Sequence, residues 1–170
     1  MTRQPGNTSI SLEPLFLVRR VEPGFQKRLK RLVKTPKLHF LDSGLLGALL
    51  GVTAERIARD RTAFGALLET FVLAEVLKHA SWSGESCALY HHRDKDHDEV
   101  DLVIEAAGGT VIGLELKASA TVSVEDFKGI RKLAAACGDN FRLGAVLYDG
   151  DRTVPFGDRL FAAPISCLWG

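Results

Sequence analysis

The sequence predicts one mixed α/β (α+β) domain, and three observations support this fold class. Apolar side chains recur at helical spacing across residues 61–79. Three short β-rich segments follow, at residues 87–91, 100–105 and 111–117. A further helix and strand come after them, and this order is typical of a mixed sheet covered by helices. At 170 residues the chain is long enough for one core and too short for two full domains.

The N-terminal part predicts a lead-in followed by a hairpin. Residues 1–11 are expected to form a disordered lead-in. Residues 12–21 are apolar and β-rich, and the Pro23-Gly24 pair marks a turn. The segment at residues 27–34 supplies a second arm. Residues 12–41 are therefore interpreted as a basic β-hairpin unit.

This hairpin carries a concentration of positive charge. Between Arg19 and Lys37 there are eight basic residues and one acidic residue, so the segment is about +7 and the rest of the chain about −6. Such a strip neutralises phosphates and releases counterions, which favours a nucleic-acid partner. A solvated hairpin face, or docking onto an acidic partner domain, is the alternative. The candidate nucleic-acid-binding residues are Arg19, Arg20, Lys27, Arg28, Lys30, Arg31 and Lys34.

Capping residues predict two further helices. Asp42 and Ser43 are suited to begin a short helix. Ser123 with Asp126 three residues later resembles a capping box. The predicted ranges are residues 44–50 and about 123–136 for these helices, 138–140 for the end of the second, 143–148 for a strand, and 160–169 for an apolar tail that pairs at an edge or packs on the core.

The candidate catalytic residues lie on the hairpin that the second and third β-rich segments form. Side chains alternate faces along a strand, so Glu115 and Lys117 point the same way. Asp101 shares that face only if the paired residue numbers sum to an even value. That register requires an odd-length loop or a bulge, because a strict two-residue turn at Gly108-Gly109 would place Asp101 opposite Leu116.

Two carboxylates and an ammonium among apolar neighbours predict a divalent-cation site. Mg²⁺ and Mn²⁺ accept carboxylate oxygens and retain waters, so Asp101, Glu115 and the Leu116 carbonyl are candidate ligands. Lys117 would then position a water or screen a phosphate. From the helix at residues 61–79, either Glu69 or Glu75 can complete the shell. An ordinary surface Glu/Lys pair is the alternative.

The positions of the histidines and cysteines do not predict a second metal-binding site. His91 and His92 are adjacent on a strand and therefore face opposite ways. Residues 93–98 are interpreted as a polar hairpin tip, where His92 or Arg93 can touch a phosphate. The three cysteines are odd in number and widely spaced, which argues against a disulfide framework and a zinc site. They are Cys87, Cys137 and Cys167.

The sequence contains no P-loop, so no ATP site is predicted in this chain. It shows neither a secretory signal nor an apolar run long enough to span a membrane, and a cytoplasmic location is expected.

The order of these motifs resembles the PD-(D/E)xK, or restriction-endonuclease-like, fold. From Leu12 onward the chain more specifically resembles the domain of unknown function that lies C-terminal to AAA-type ATPases in many bacterial and archaeal proteins. The segments that carry this resemblance are residues 34–45 (KTPKLHFLDSGL), 65–72 (GALLETFV), 99–103 (EVDLV), 113–117 (GLELK) and 163–169 (APISCLW).

The resemblance implies a restriction-endonuclease-like sheet flanked by helices over residues 42–170, preceded over residues 12–41 by the remnant of a winged helix. It implies Mg²⁺ or Mn²⁺ as cofactor and DNA as substrate. The chain lacks the family's ATPase, so ATP hydrolysis is not expected and an ATPase module is a candidate partner. The implied catalytic residues are Glu69, Asp101, Glu115 and Lys117, of which Glu69, Asp101 and Glu115 would bind the metal.

Two classes of function follow. The first is a metal-dependent nuclease acting on DNA, supported by the complete set of acidic residues and lysine beside the basic strip. The second is a non-catalytic nucleic-acid-binding or partner-docking module, supported by the missing ATPase and the near-neutral net charge of +1. A third possibility, outside these two classes, is a degraded gene product that folds poorly. Apolar residues at 45–50, together with edge strands, also predict self-association.

Overall fold

The computed structural model describes residues 12–24, 35–93 and 98–169. Within them the strands are β1 (Val18–Pro23), β2 (Lys37–Phe40), β3 (Cys87–Arg93), β4 (Glu99–Ala106), β5 (Val111–Lys117), β6 (Phe141–Tyr148), β7 (Val154–Gly157) and β8 (Leu160–Pro164). The α-helices are α1 (Ser43–Leu49), α2 (Ala54–Arg59), α3 (Thr62–Trp82) and α4 (Lys128–Cys137). Short 3₁₀ turns occupy Val124–Phe127, Gly138–Asn140 and Ile165–Trp169.

The strands form one mixed sheet in the order β2-β1-β3-β4-β5-β6-β8-β7. The pairs β1–β3, β5–β6 and β6–β8 are parallel, and the other neighbouring pairs are antiparallel. The predicted mixed α/β class is therefore confirmed. The apolar tail contributes β8, which lies inside the sheet between β6 and β7 rather than at its edge.

Helices cover both faces of this sheet. Alternate strand residues belong to separate cores: Leu102 and Leu147 pack with α3, whereas Val103 and Val146 pack with α4. In the α4 core, Phe127 and its neighbours are fully buried. The candidate site residues Asp101 and Glu115 lie near the first residue of β4 and the last residue of β5.

Several element boundaries differ from the prediction. Helix α1 begins as expected, with Asp42 Oδ1 accepting a hydrogen bond from the Leu45 N–H at 2.7 Å. Helix α3 extends to Trp82, three residues beyond the predicted end at residue 79. The sequence predicts neither α2 nor β7; α2 has only six residues, too few to show an apolar period.

The N-terminal hairpin differs from the prediction in its second strand. Strand β1 pairs antiparallel with β2, so that Val18 lies opposite Phe40 and Val21 opposite Lys37. The sequence indicates only an apolar run at β2 and favours residues 27–34 as the second arm. That arm and the lead-in at residues 1–11 lie outside the described residues.

Membrane-spanning helices and cysteine pairing can be examined in the described residues. No helix there has both the length and the apolar character needed to cross a membrane. Cys87, Cys137 and Cys167 are all free thiols.

Candidate functional site

The β4–β5 hairpin has the register that the candidate site requires. The Ala106 N–H donates to the Thr110 carbonyl at 2.9 Å, leaving a three-residue loop at residues 107–109. Both loop glycines have positive φ, 87° at Gly108 and 83° at Gly109, a conformation that favours glycine. Leu102 lies opposite Leu114. The residue numbers therefore sum to an even value, and the register continues toward Asp101 and Glu115 as predicted.

Asp101 bridges the two strands at the point where their ladder ends. Its Oδ2 accepts a hydrogen bond from the Leu116 N–H at 3.0 Å. The carboxylate thus satisfies a backbone donor of β5 that lies beyond the last β4–β5 pair, Leu102 and Leu114. The Asp101 side chain is only 9% exposed, so this contact fixes a nearly buried charge.

A lysine that the sequence analysis placed in the basic strip lies between two of the carboxylates. Lys37 Nζ donates to Asp101 Oδ1 at 2.9 Å and to Glu69 Oε2 at 3.3 Å. Burial by itself would lower the pKa of Lys37, but the charges of Asp101 and Glu69 outweigh it and raise this pKa. The Lys37 side chain is therefore an ammonium held by β4 and α3.

Glu69, and not Glu75, is the helix carboxylate of this site. Both residues lie on α3. Glu75 Oε1 instead accepts a hydrogen bond from Lys78 Nζ at 2.6 Å, within the same helix. Burial and the neighbouring Asp101 charge raise the pKa of Glu69, and Lys37 opposes this rise.

Glu115 is the third carboxyl of the site, and the fold favours its neutral form. Burial, and then the charge of Asp101, raises its pKa to about 9, although Lys37 and a hydrogen bond from the Asp101 backbone oppose the shift. Its Oε2 has no hydrogen-bond partner among the residues that the structure describes. A buried carboxyl oxygen without a partner is unfavourable, and it is a position where a cation or a water would be stabilised.

Histidines surround the ammonium on the β2 side. Burial, and then the Lys37 charge, lowers the pKa of His39 to about 4, so its imidazole is neutral at pH 7. His91 Nε2 lies 3.1 Å from the Thr35 carbonyl. A register irregularity separates Tyr90 from His92 in β3, and His91 and His92 are both buried.

A cleft of about 630 Å³ opens beside Glu69 and Lys37. Arg93 and Glu99 also line it, and their side chains form an ion pair at 2.9 Å. Of the predicted hairpin tip, residues 94–97 lie outside the described part. Of the three carboxyl residues, Glu69 lines this cleft, and Asp101 is connected to it through Lys37.

Lys117 makes a different contact from the one expected. Its ammonium donates to Asp126 Oδ1. Asp126 also accepts a hydrogen bond from the Ser123 N–H at 2.6 Å, which confirms the predicted capping box. The Lys117 ammonium is thus bound at the turn before α4, whereas the Lys37 ammonium lies between the carboxylates.

Of the seven candidate nucleic-acid-binding residues, two lie in the described part of the chain. Arg19 is exposed on β1, and Arg20 is half-buried, with its Nε 4.0 Å from Glu13 Oε1. The others lie outside the described residues. They are Lys27, Arg28, Lys30, Arg31 and Lys34.

The candidate metal ligands can be compared with the ligands that a divalent cation requires. In the described part of the chain, no three His, Cys, Asp or Glu side chains are arranged as a metal-binding group. The chemistry of the donors nevertheless fits Mg²⁺ or Mn²⁺, because carboxylate oxygens are their preferred ligands. Lys37 is a stand-in cation between Glu69 and Asp101, and Glu115 offers an unpartnered oxygen.

Comparison with known proteins places this site in a family context. Residues 64–168 match the family of a domain of unknown function, DUF4143, and residues 8–56 match a second domain of unknown function, DUF8612. An uncharacterised protein of Mycobacterium bovis and one of Mycobacterium tuberculosis are each 31% identical over 156 residues. The alignment covers 91% of this chain, and the chain spans about a third (33%) of either relative.

Proposed function

The chain belongs to the DUF4143 family of domains, and we propose that it is a divalent-metal-dependent nuclease domain acting on DNA. The observation that carries this proposal is the convergence of Glu69, Asp101 and Glu115 from a helix and two strands. Helix α3 and strands β4 and β5 each contribute one carboxyl group: Glu69 lines the cleft, Lys37 joins it to Asp101, and the charge of Asp101 acts on the buried Glu115. The PD-(D/E)xK resemblance supports the same proposal, because it assigns catalytic roles to these residues.

Each carboxyl has a defined task in this proposal. Glu69 and Asp101 would hold the cation through the two oxygens that now accept hydrogen bonds from Lys37. Glu115 keeps its proton in the cation-free protein and releases it beside a positive charge, because an opposite charge favours the ionised form. A bound Mg²⁺ or Mn²⁺ supplies Lewis-acid chemistry, activating a water and stabilising charge on the phosphate.

The remaining predicted residues would handle the substrate. Lys117 is our candidate for screening the phosphate, a role that requires its ammonium to leave Asp126. Arg19 and Arg20, with the basic residues after them, would contact the DNA backbone and make binding sensitive to salt. The cleft beside Lys37 is where a phosphodiester would approach Glu69 and Asp101.

A specific observation favours a second candidate, a non-catalytic nucleic-acid-binding or partner-docking module. Lys37 already forms ion pairs with both Glu69 and Asp101, so its ammonium occupies the position between these two carboxylates. The curated relatives are about three times as long as this chain, since it spans 33% of them. We propose that an AAA-type ATPase module and a winged helix ending in residues 12–41 are the partners of the domain in such longer proteins.

Cleavage assays separate these two functions. Supercoiled, linear, single-stranded and branched DNA would be incubated with Mg²⁺ or Mn²⁺ and the wild-type protein, Asp101→Asn or Glu115→Gln. We expect each substitution to reduce the cleavage rate by about 100-fold or more, the scale of losing a group that holds transition-state charge. Glu75→Gln is the matched control, because Glu75 lies on α3 but bonds Lys78, and it should cut normally.

Two outcomes would overturn the nuclease proposal. Cutting that survives Asp101→Asn would place the activity in a contaminant or at another site. Absence of cutting, combined with DNA binding that weakens as salt rises, would establish the binding module instead.

A further inference from the structure

The ion pairs of Lys37 involve the atoms that the proposed metal would need. One ammonium contacts Asp101 Oδ1 at 2.9 Å and Glu69 Oε2 at 3.3 Å, so two hard oxygen ligands are already bound to a positive charge. The Lys37 side chain is 24% exposed and that of Asp101 9% exposed. Water therefore screens this interaction only partly.

An ammonium and a divalent cation cannot occupy this position together. Both would need to lie within about 3 Å of the same oxygens, and like charges at such separations repel strongly where water is limited. Binding of one cation thus requires the other to move away. Removing Lys37 without a replacement is unfavourable, because it leaves the nearly buried Asp101 carboxylate without a counter-charge.

The surroundings give Lys37 a place to move. It is the first residue of β2, which is the terminal strand of the sheet among the described residues and pairs there with β1. Its side chain lines the 630 Å³ cleft. A lysine has a flexible four-carbon stem, so the ammonium can enter this cleft without a change in the strand.

We propose that Lys37 is a tethered counter-cation, which competes with the divalent metal for Glu69 and Asp101 and must leave them for the site to load. This inference rests on the proposed function, because it assumes that these carboxylates are the metal ligands. Lys37 then controls whether the metal can bind. In the cation-free site, its ammonium offsets part of the negative charge of Glu69 and Asp101. This inference also distinguishes Lys37 from Lys117, whose ammonium is bound at Asp126.

Direct metal binding tests this competition without any activity assay. Mn²⁺ would be titrated into the full chain and followed by electron paramagnetic resonance for wild type, Lys37→Gln and Lys37→Arg. Removing the internal charge in Lys37→Gln should tighten Mn²⁺ binding at least about tenfold. Lys37→Arg keeps the charge and can bind both carboxylates, so its affinity should be no higher than wild type. Lys78→Gln is the control, because it removes a lysine that forms an ion pair with a carboxylate of α3, Glu75, away from the site.

A second measurement uses the wild-type protein, so it does not depend on a variant that folds. Lysine acylation followed by mass spectrometry would compare Lys37 and Lys78 with and without Mg²⁺. Released from its ion pairs, Lys37 should be acylated several-fold faster when Mg²⁺ is present, while Lys78 should be unchanged. Lys37 labelling that stays constant at saturating Mg²⁺ would overturn the competition.

The outcomes separate this inference from the proposed function. If wild type and Lys37→Gln bind Mn²⁺ equally well, and Asp101→Asn abolishes binding, the metal site stands and the competition is wrong. If folded Lys37→Gln binds no Mn²⁺, both the metal site and the inference fail. Tighter binding in Lys37→Gln that Asp101→Asn removes supports both.

Discussion

At the scale of single residues, Glu115 is a carboxyl group whose ionisation is opposed by its place in the fold. It is buried at the end of β5 and lies near the Asp101 carboxylate, which explains a pKa of about 9. The unfolded chain would ionise the same group near pH 4.5. Between these values the folded protein holds a proton that the unfolded chain has released, so this residue lowers stability as pH rises.

Glu115→Gln should remove that dependence, because an amide does not titrate. Urea unfolding in chelator-treated buffer would compare the variant and wild type at pH 5 and pH 8. We expect the wild type to lose about 1 kcal/mol or more of unfolding free energy relative to the variant between these two values. Parallel stability profiles would mean that Glu115 ionises normally in the folded protein.

The sequence predicted part of this site because strand geometry is local. Alternation along β5 placed Glu115 and Lys117 on one face, but the sequence left the hairpin parity open, and the three-residue loop of the structure supplies the even register. Lys37 was missed as a site residue because its contact with Asp101 spans 64 positions and depends on how β2 meets α3. For Lys117, alternation predicted a face but not the direction of a long flexible stem, which ends at Asp126.

At the scale of elements, α4 approaches the first residue of β4 very closely. A Cβ atom at Gly129 would lie 1.9 Å from the Glu99 carbonyl oxygen, so only glycine fits there without movement of the backbone. Glu99 lies two residues before Asp101. The start of α4 therefore helps to fix the strand end that carries the candidate site.

Gly129→Ala should destabilise the protein strongly, by about 3 kcal/mol or more, because the clash is with backbone rather than a flexible side chain. Gly65→Ala is its matched control, since a Cβ atom at that helical glycine would have no neighbouring atom within 4 Å. Gly65→Ala should be neutral or stabilise by about 0.5–1 kcal/mol through higher helix propensity. Thermal and urea unfolding would measure both, and equal stabilities would contradict the close packing of α4 on β4.

Elements were predictable where a cap or an apolar period defined them. Asp42 began α1, Ser123 with Asp126 formed the capping box before α4, and residues 111–117 matched β5 throughout. Four-residue strands such as β2 have too little pattern for this. Their pairing is decided by the neighbouring strand and not by their own residues.

At the scale of the whole molecule, an apolar surface lies beside the cleft. Leu49 and Leu50 at the end of α1 are 65% and 47% exposed. A mostly apolar groove of about 670 Å³ runs between α1, α2 and α3. Exposed apolar surface of this kind favours association with another protein surface, as the sequence predicted for residues 45–50.

Replacing both leucines in Leu49→Glu/Leu50→Glu should weaken self-association. Sedimentation equilibrium across a range of concentrations would compare this variant with wild type. We expect the variant to sediment closer to the 18.5 kDa monomer mass, because charges oppose burial of the surface. Val124→Glu is the control, since Val124 is 61% exposed at the turn before α4. If Val124→Glu lowered the apparent mass as much as the double variant does, the self-association surface could not be assigned to α1.

The overall class was predictable, but the strand order was not. Helix and strand signals along the chain were sufficient for a mixed sheet. The parallel pairs β1–β3 and β6–β8 join segments separated by other elements, and no local pattern specifies such pairing. Their crossovers are decided by packing across the two cores.

The ion pairs of Lys37 also constrain how this family can change over evolution. Lys37 offsets the charges of Glu69 and Asp101 at a place where water screens them only partly. Loss of Lys37 leaves both carboxylates without a counter-charge, so a lineage that replaces Lys37 is expected to replace Glu69 or Asp101 soon afterwards. Substitutions at these three positions should therefore be inherited together, as a correlated set, although residues 37 and 101 lie far apart in the gene.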